Sequence, residues 1–127
     1  MKMKHLFLMM GLVVFLSACN NKKSEELAEA IKVQEAIDFT KVNPDTVQTI
    51  TNTSDIAIVQ KLFKNAKKMN GVVDVMEPQY RIQIDNHLYF LWLDLDNNTA
   101  IIMDEKDTHT IYKISDATKI INLIINN

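Results

Sequence analysis

After residue 45, apolar residues either alternate with polar ones or recur at helical spacing. This pattern predicts the first elements of the fold. β-Branched residues over 47–51, after the turn signal Asn43-Pro44-Asp45, predict a strand. A helix follows, with Ser54 as its N-cap and Asn70-Gly71 as its end. Its apolar residues recur at i, i+3 and i+4, and they are Ile56, Val59, Leu62, Phe63, Ala66 and Met69.

A meander of strands is predicted next. Residues 80–84 alternate apolar with polar side chains, which is typical of a half-buried strand, and Asp85-Asn86 provides a tight turn. Further strands are expected over 87–95, 99–103 and 109–114, with turns at 96–98 and 105–107. A last helix, capped by Ser115, would direct four apolar residues at the sheet: Ala117, Ile120, Ile121 and Ile124.

The element order β-α-β-β-β-β-α predicts an α+β fold. We expect two layers, with a four- to five-stranded antiparallel sheet and helices on one face. Residues 24–37 carry apolar residues near helical spacing, so they are interpreted as a short helix or an extended spacer. The expected organisation is a signal peptide over 1–18, an acylated cysteine and tether over 19–40, and one domain over 41–127.

The N-terminus has the layout of a cleaved signal peptide. Lys2 and Lys4 precede an apolar stretch over 6–16, which is too short for a helix that spans a bilayer. The sequence Leu16-Ser17-Ala18-Cys19 resembles the lipobox of bacterial lipoproteins. This resemblance implies cleavage before Cys19 and a diacylglycerol thioether on it, with N-acylation as an option. We therefore expect a lipid anchor in the bilayer, on the extracytoplasmic face of the cell membrane.

Charge and cysteine content narrow the possible functions. Lys2 and Lys4 are two of 14 basic residues, so 12 remain against 16 acidic ones after residue 18, a net charge near −4. The basic residues are scattered, and the chain is expected to be exported, which argues against a nucleic-acid partner. Cys19 is the only cysteine, so no disulfide is available and stability must come from core burial.

One local pattern is similar to a calcium-binding loop. Asp94, Asp96, Asn98 and Glu105 occupy positions 1, 3, 5 and 12 of an EF-hand loop. Position 6 is Thr99, where that loop needs glycine, and the flanks are predicted strands. The favoured interpretation is a hairpin turn whose side chains bond their own backbone. A weaker calcium site of another kind, in a calcium-responsive surface protein, is the alternative.

Few residues after the signal peptide offer catalytic chemistry. Cys19 would be acylated, and Ser24, Ser54 and Ser115 stand where helices need caps, so no nucleophile is left over. His87 and His109 lie at predicted strand ends beside turns. Gly71 is the only glycine after residue 18, which excludes a glycine-rich phosphate loop. We therefore expect no cofactor, and a small hydrolase is the least favoured function.

The strand over 88–95 is apolar on both faces. Leu88, Phe90 and Trp92 point one way, while the other side chains point the opposite way: Tyr89, Leu91, Leu93 and Leu95. If helices cover one face, the aromatic residues Tyr89, Phe90 and Trp92 form a candidate binding surface for a protein or small ligand. Two alternatives remain: residues 24–37 cover this stripe, or the strand is central and covered on both faces.

Three segments resemble the small YhfM-like lipoproteins of Gram-positive bacilli. They are Pro78-Gln79-Tyr80-Arg81-Ile82, Tyr89-Phe90-Leu91-Trp92-Leu93 and Asp107-Thr108-His109-Thr110-Ile111-Tyr112. The resemblance implies a cell-surface lipoprotein domain and assigns no catalytic residue. Together with the lipobox, it favours a membrane-anchored, non-enzymatic binding or accessory module.

Overall fold

The computed structural model describes residues 26–70 and 75–126. Two predictions fall outside these ranges, the signal peptide over 1–18 and the acylation of Cys19, and so do Gly71 and the first residues of the tether expected over 19–40. Neither helix in the described residues combines the length and the apolar character that a bilayer-spanning segment needs.

The described chain forms one seven-stranded antiparallel sheet with two helices. The strands are β1 (Ile31–Glu35), β2 (Gln48–Ile50), β3 (Lys67–Lys68), β4 (Tyr80–Ile84), β5 (His87–Asp94), β6 (Thr99–Asp104) and β7 (Tyr112–Ile114). The helices are α1 (Thr53–Lys64) and α2 (Thr118–Ile125). Across the sheet the order is β2-β1-β4-β5-β6-β7-β3. The α+β class is confirmed, but the sheet has seven strands and the order is β-β-α-β-β-β-β-β-α.

Strand β1 lies where a tether or a short helix was expected, so the helical interpretation is wrong over residues 31–35; residues 24 and 25 lie outside the described ranges. Ile31 and Val33 are buried and Lys32 between them is exposed, which is the period of two that a strand requires. β1 pairs with β2 on one side and with β4 on the other. The sheet therefore begins before residue 41, the expected start of the domain.

Helix α1 begins and ends earlier than predicted. The Asn52 side chain, rather than that of Ser54, caps it by accepting a hydrogen bond from the Asp55 backbone N–H at 3.1 Å. The helix ends at Lys64, and the chain then turns into β3, a two-residue strand beside β7. The predicted end at Asn70-Gly71 is therefore wrong. Ile56 and Val59 face the core, as their spacing predicted.

Helix α2 is positioned by the turn between β5 and β6. The Ala117 backbone N–H, just before the helix, donates to the Asn98 carbonyl at 2.7 Å. Ser115 is not its cap; instead Asp116 Oδ1 accepts from the Thr118 N–H at 3.1 Å. α2 is rich in β-branched isoleucine, a modest helix former, so packing against the sheet must favour the helix. The four side chains predicted to face the sheet are buried.

The main core lies between the helices and one face of the sheet. Its fully buried side chains include Ile31, Ile56, Ile82, Leu91 and Ile120, contributed by three central strands and both helices. Lys119 and Asp55 tie α2 to α1 with a 3.0 Å ion pair. The expected arrangement of helices on one face is therefore confirmed. The opposite face of the sheet is called the outer face below.

The central meander follows the prediction closely, except at its end. Asp85 and Asn98 take positive φ angles of 53° in the two tight turns, a conformation that Asn and Asp tolerate. β7 begins only at Tyr112, because residues 105–111 form a wide connection instead of a strand from His109.

Candidate binding site

The three residues of the predicted binding surface lie on two faces of the sheet. Successive side chains of a strand point to opposite faces, so Tyr89 is on the helix side while Phe90 and Trp92 are on the outer face. The alternation was predicted correctly. The three side chains nevertheless do not form one continuous surface.

Phe90 belongs to a second, smaller core on the outer face. Its side chain is 3% exposed and packs with Met103 and Ile111. The Phe39 ring meets it edge-on with centroids 5.2 Å apart, and the Arg81 guanidinium lies 5.6 Å from the Phe90 centroid. Arg81 Nη2 also donates to the Phe39 carbonyl at 2.9 Å, which holds this loop over the ring.

Trp92 fastens the connection that precedes β4. Its indole Nε1 lies 3.0 Å from the Met76 carbonyl oxygen and 3.1 Å from that of Glu77, and it donates to both. Its ring is 6.2 Å from that of Phe39. The apolar outer face of β5 is therefore covered in large part by the Phe39 loop and by this connection, and not by residues 26–35.

Tyr89 lies between two adjoining cavities on the helix side. One has a volume of about 410 Å³ and is lined by Glu26, Gln60, Phe63, Lys64, Ile84, Asp85, His87 and Tyr89. The other, of about 240 Å³, is lined by Phe63, Lys64, Ala66, Tyr89, Ile102, Asp104, Asp107 and Tyr112. Three residues are common to both, so the two form one depression, here called the Tyr89 groove.

Aromatic side chains form the floor of the Tyr89 groove. The ring of Phe63, on the last turn of α1, meets Tyr89 edge-on with centroids 5.0 Å apart. His87 stacks beside Tyr89 at 6.3 Å with an interplanar angle of 21°. Tyr112 from β7 lines the second cavity. The faces of several rings are thus gathered where a ligand could contact them.

Carboxylates surround these rings. Glu26 and Asp85 line the larger cavity, and Asp104 and Asp107 line the smaller one. Burial raises the pKa of the Tyr89 hydroxyl above its usual value, and the negative charge of Asp104 raises it further. Lys64 is the basic residue that lines the groove. The local surface is therefore aromatic and mainly acidic.

A second depression lies at the opposite end of the sheet. Two adjoining cavities of about 430 and 390 Å³ share Glu35, Tyr80 and Ile125. Burial raises the pKa of Tyr80, and the charge of Glu35 adds to this effect. The side-chain Oε1 of Gln48 is buried there without a hydrogen-bond partner among the described residues. The rim of this second depression includes the exposed side chains Val47, Leu95 and Ile125.

The four residues considered for calcium do not come together. Asp94 and Glu105 lie at opposite ends of β6, and five residue steps of a strand span about 17 Å. Asp94 Oδ1 accepts from the Asp96 and Asn97 backbone N–H groups, each at 3.2 Å, and Oδ2 accepts from Asn97 Nδ2 at 2.8 Å. These bonds lower the pKa of Asp94, with the side-chain bond from Asn97 as the largest cause. The turn thus bonds its own backbone, as the favoured interpretation described.

The residues considered for catalysis are dispersed. His87 and His109 are both exposed; His87 is the first residue of β5, and His109 lies in the connection before β7. Neither serine is a helix cap. Ser54 lies inside the first turn of α1, which Asn52 caps, and Ser115 is exposed two residues before Ala117, the N-cap position of α2. In the described ranges, no three His, Cys, Asp or Glu side chains are close enough to hold a metal ion.

Sequence reasoning missed most of the Tyr89 groove. Phe63 was assigned to the buried face of α1, and Tyr112 to an ordinary strand. Alternation does place Tyr89 on the helix side of β5. It could not show that α1 ends beside β5, which opens the space next to Phe63.

Comparison with known proteins identifies one family. The family model described as YhfM protein matches residues 20–127, which is most of the chain. No curated protein and no solved structure matches this chain. The matched range covers all the described strands and both helices. The chain therefore belongs to the YhfM protein family.

Proposed function

We propose that this protein is a membrane-anchored, extracytoplasmic lipoprotein whose α+β domain is a non-enzymatic binding module. The single observation that carries the binding role is the Tyr89 groove, an open depression with an aromatic floor. Binding sites commonly combine such apolar walls with a few polar groups.

The anchor is supported by the sequence. Cys19 is the only cysteine and ends the pattern Leu16-Ser17-Ala18-Cys19, after an apolar stretch of signal-peptide length. Two acyl chains on this residue would hold the protein stably at the membrane, whereas one chain binds only marginally. Ala28 is packed in the main core, so the short stretch between Cys19 and Ala28 would separate the domain from the lipid.

A binding role fits the distribution of chemistry better than catalysis does. The described core contains no buried polar or charged residue, so no ionisable group is held there in a dry environment. The two histidines are exposed and separated. The Tyr89 groove instead offers aromatic faces and carboxylates at its rim, which are groups that recognise a partner.

The anchor is tested by replacing Cys19. In the host cell, Cys19→Ser should abolish lipid attachment, as read by mass spectrometry of the N-terminal peptide, and should leave uncleaved precursor. Ser24→Ala, five residues further on, is the matched control and should be processed like the wild type. Equal lipid attachment in wild type and Cys19→Ser would refute the anchor.

The binding role is tested by site-specific photocrosslinking in intact cells. A photoreactive amino acid at His87, on the rim of the groove, should give a discrete adduct. The same amino acid at Lys113, exposed on the outer face, should not give that adduct. Absence of an adduct at both positions, or the same adducts at both, would contradict a binding role for this groove.

A further inference from the structure

We propose that the Tyr89 groove binds an extended basic peptide segment of a partner protein, with Lys or Arg side chains placed over the aromatic floor between the carboxylates. This inference rests on the proposed binding function and names the chemistry of the partner. It is carried by the charge, the ring geometry and the length of the groove.

The Tyr89 groove and the outer face of the sheet differ in the sign of their charge. The strands place four basic residues on the outer face, against one carboxylate, Asp94: Lys32, Lys67, Arg81 and Lys113. The Tyr89 groove has the opposite balance, because four carboxylates line it together with Lys64. A basic segment is therefore attracted to the Tyr89 groove rather than to the outer face of the strands.

The aromatic floor suits cationic side chains in particular. Lys or Arg over the face of an aromatic ring is attracted by the negative charge of that face, and more strongly when water is excluded. Phe63 and Tyr89 both line the groove, and the planes of their rings are nearly perpendicular, at 87°. The stacked His87 ring extends the floor at one end.

The length of the groove favours a peptide over a single small cation. Its lining residues come from β4, β5, β6 and β7, which are adjacent strands of the sheet. Three inter-strand spacings amount to about 14 Å. An extended chain covers this distance with about four residues. Asp85 lines one cavity and Asp107 the other, so we expect two basic residues about four positions apart.

Binding is tested by NMR. The purified, 15N-labelled full chain is titrated with acetyl-Lys-Gly-Gly-Gly-Lys-amide, and its amide and indole N–H signals are followed. Signals of Phe63 and Tyr89 should shift, while the indole N–H of Trp92 on the outer face should not. The same peptide with glutamine in place of both lysines should bind at least fivefold more weakly. Equal binding of the neutral peptide, or shifts confined to the outer face, would overturn the proposal.

Two double variants that remove negative charge show whether the carboxylates of the groove are the ones that bind the peptide. Asp85→Asn with Asp107→Asn removes one carboxylate from each cavity and should weaken binding of the lysine peptide about fivefold, since each exposed ion pair contributes only modestly to binding. Asp94→Asn with Asp96→Asn makes the same charge change outside the groove and should alter binding less than twofold. Equal weakening by both pairs would mean non-specific attraction and would refute the proposal.

Floor variants separate ring chemistry from folding. Tyr89→Phe keeps the ring and should bind like the wild type, whereas Tyr89→Leu should lose at least threefold in affinity at an unchanged fold in circular dichroism. If Tyr89→Leu binds normally, the rings do not carry recognition. Crosslinking at His87 that persists when the lysine peptide fails to bind would overturn the basic partner but leave the binding module standing.

Discussion

Strand β1 provides a sharp test of where the domain begins. Ile31 is fully buried, and its strand pairs with β2 and β4. Replacing a buried isoleucine with alanine removes apolar burial and leaves a cavity, at a cost of about 2–5 kcal/mol. We expect Ile31→Ala to lower the free energy of unfolding by about 3 kcal/mol. For a domain near 100 residues, that corresponds to a fall in Tm of roughly 10–20 °C.

The measurement is urea unfolding, followed by the fluorescence of Trp92, the only tryptophan, and by far-UV circular dichroism. Lys32→Ala is the matched control, because Lys32 is exposed in the same strand and its loss should cost less than about 0.5 kcal/mol. Ile31→Val, at about 1 kcal/mol, keeps the test usable if the alanine variant does not fold. Equal unfolding midpoints for wild type, Ile31→Val and Ile31→Ala would refute the assignment of β1 to the core.

Three further outcomes are expected. Phe90→Ala should cost about 3–5 kcal/mol in urea unfolding, because Phe90 is packed under Phe39; a cost under 1 kcal/mol would mean that its ring is exposed. The pKa of Asp94 is below 3.8 in the folded state, so its stabilising effect is complete above that pH and is lost as the pH falls through the lowered pKa. Asp94→Ala should therefore show a smaller loss of Tm than the wild type on acidification below pH 3.8, and an identical loss would contradict this. Since β6 separates Asp94 from Glu105, millimolar calcium should leave Tm unchanged, and a rise of several degrees would restore the calcium hypothesis.

The central meander could be predicted because its signals are local. In β4, buried Ile82 and Ile84 alternate with polar residues, and the Asp85-Asn86 turn follows at once. β1 was missed because its apolar residues fit two periods. Leu27, Ala30, Ile31 and residues further on lie near helical spacing, although only contact with β2 and β4 buries Ile31 and Val33 as a strand.

The site was less accessible to prediction than the fold. Alternation placed Phe90 and Trp92 correctly on one face of β5, but their covering comes from distant segments. Phe39 lies over Phe90, and the carbonyls of residues 76 and 77 hold the Trp92 indole. No local pattern encodes such contacts between distant residues, and the same holds for the space between α1 and β5.

The two edge strands of the described sheet would matter if the protein is anchored as proposed. β2 is three residues long, and β3 is two residues long and consists of Lys67 and Lys68. Long, uncharged edge strands can pair with strands of neighbouring molecules, whereas short or lysine-bearing edge strands disfavour such pairing. If the proposed anchor holds copies side by side on a membrane, they would meet at high local density. Edge strands this short and basic would then allow crowding without assembly into a continuous intermolecular sheet.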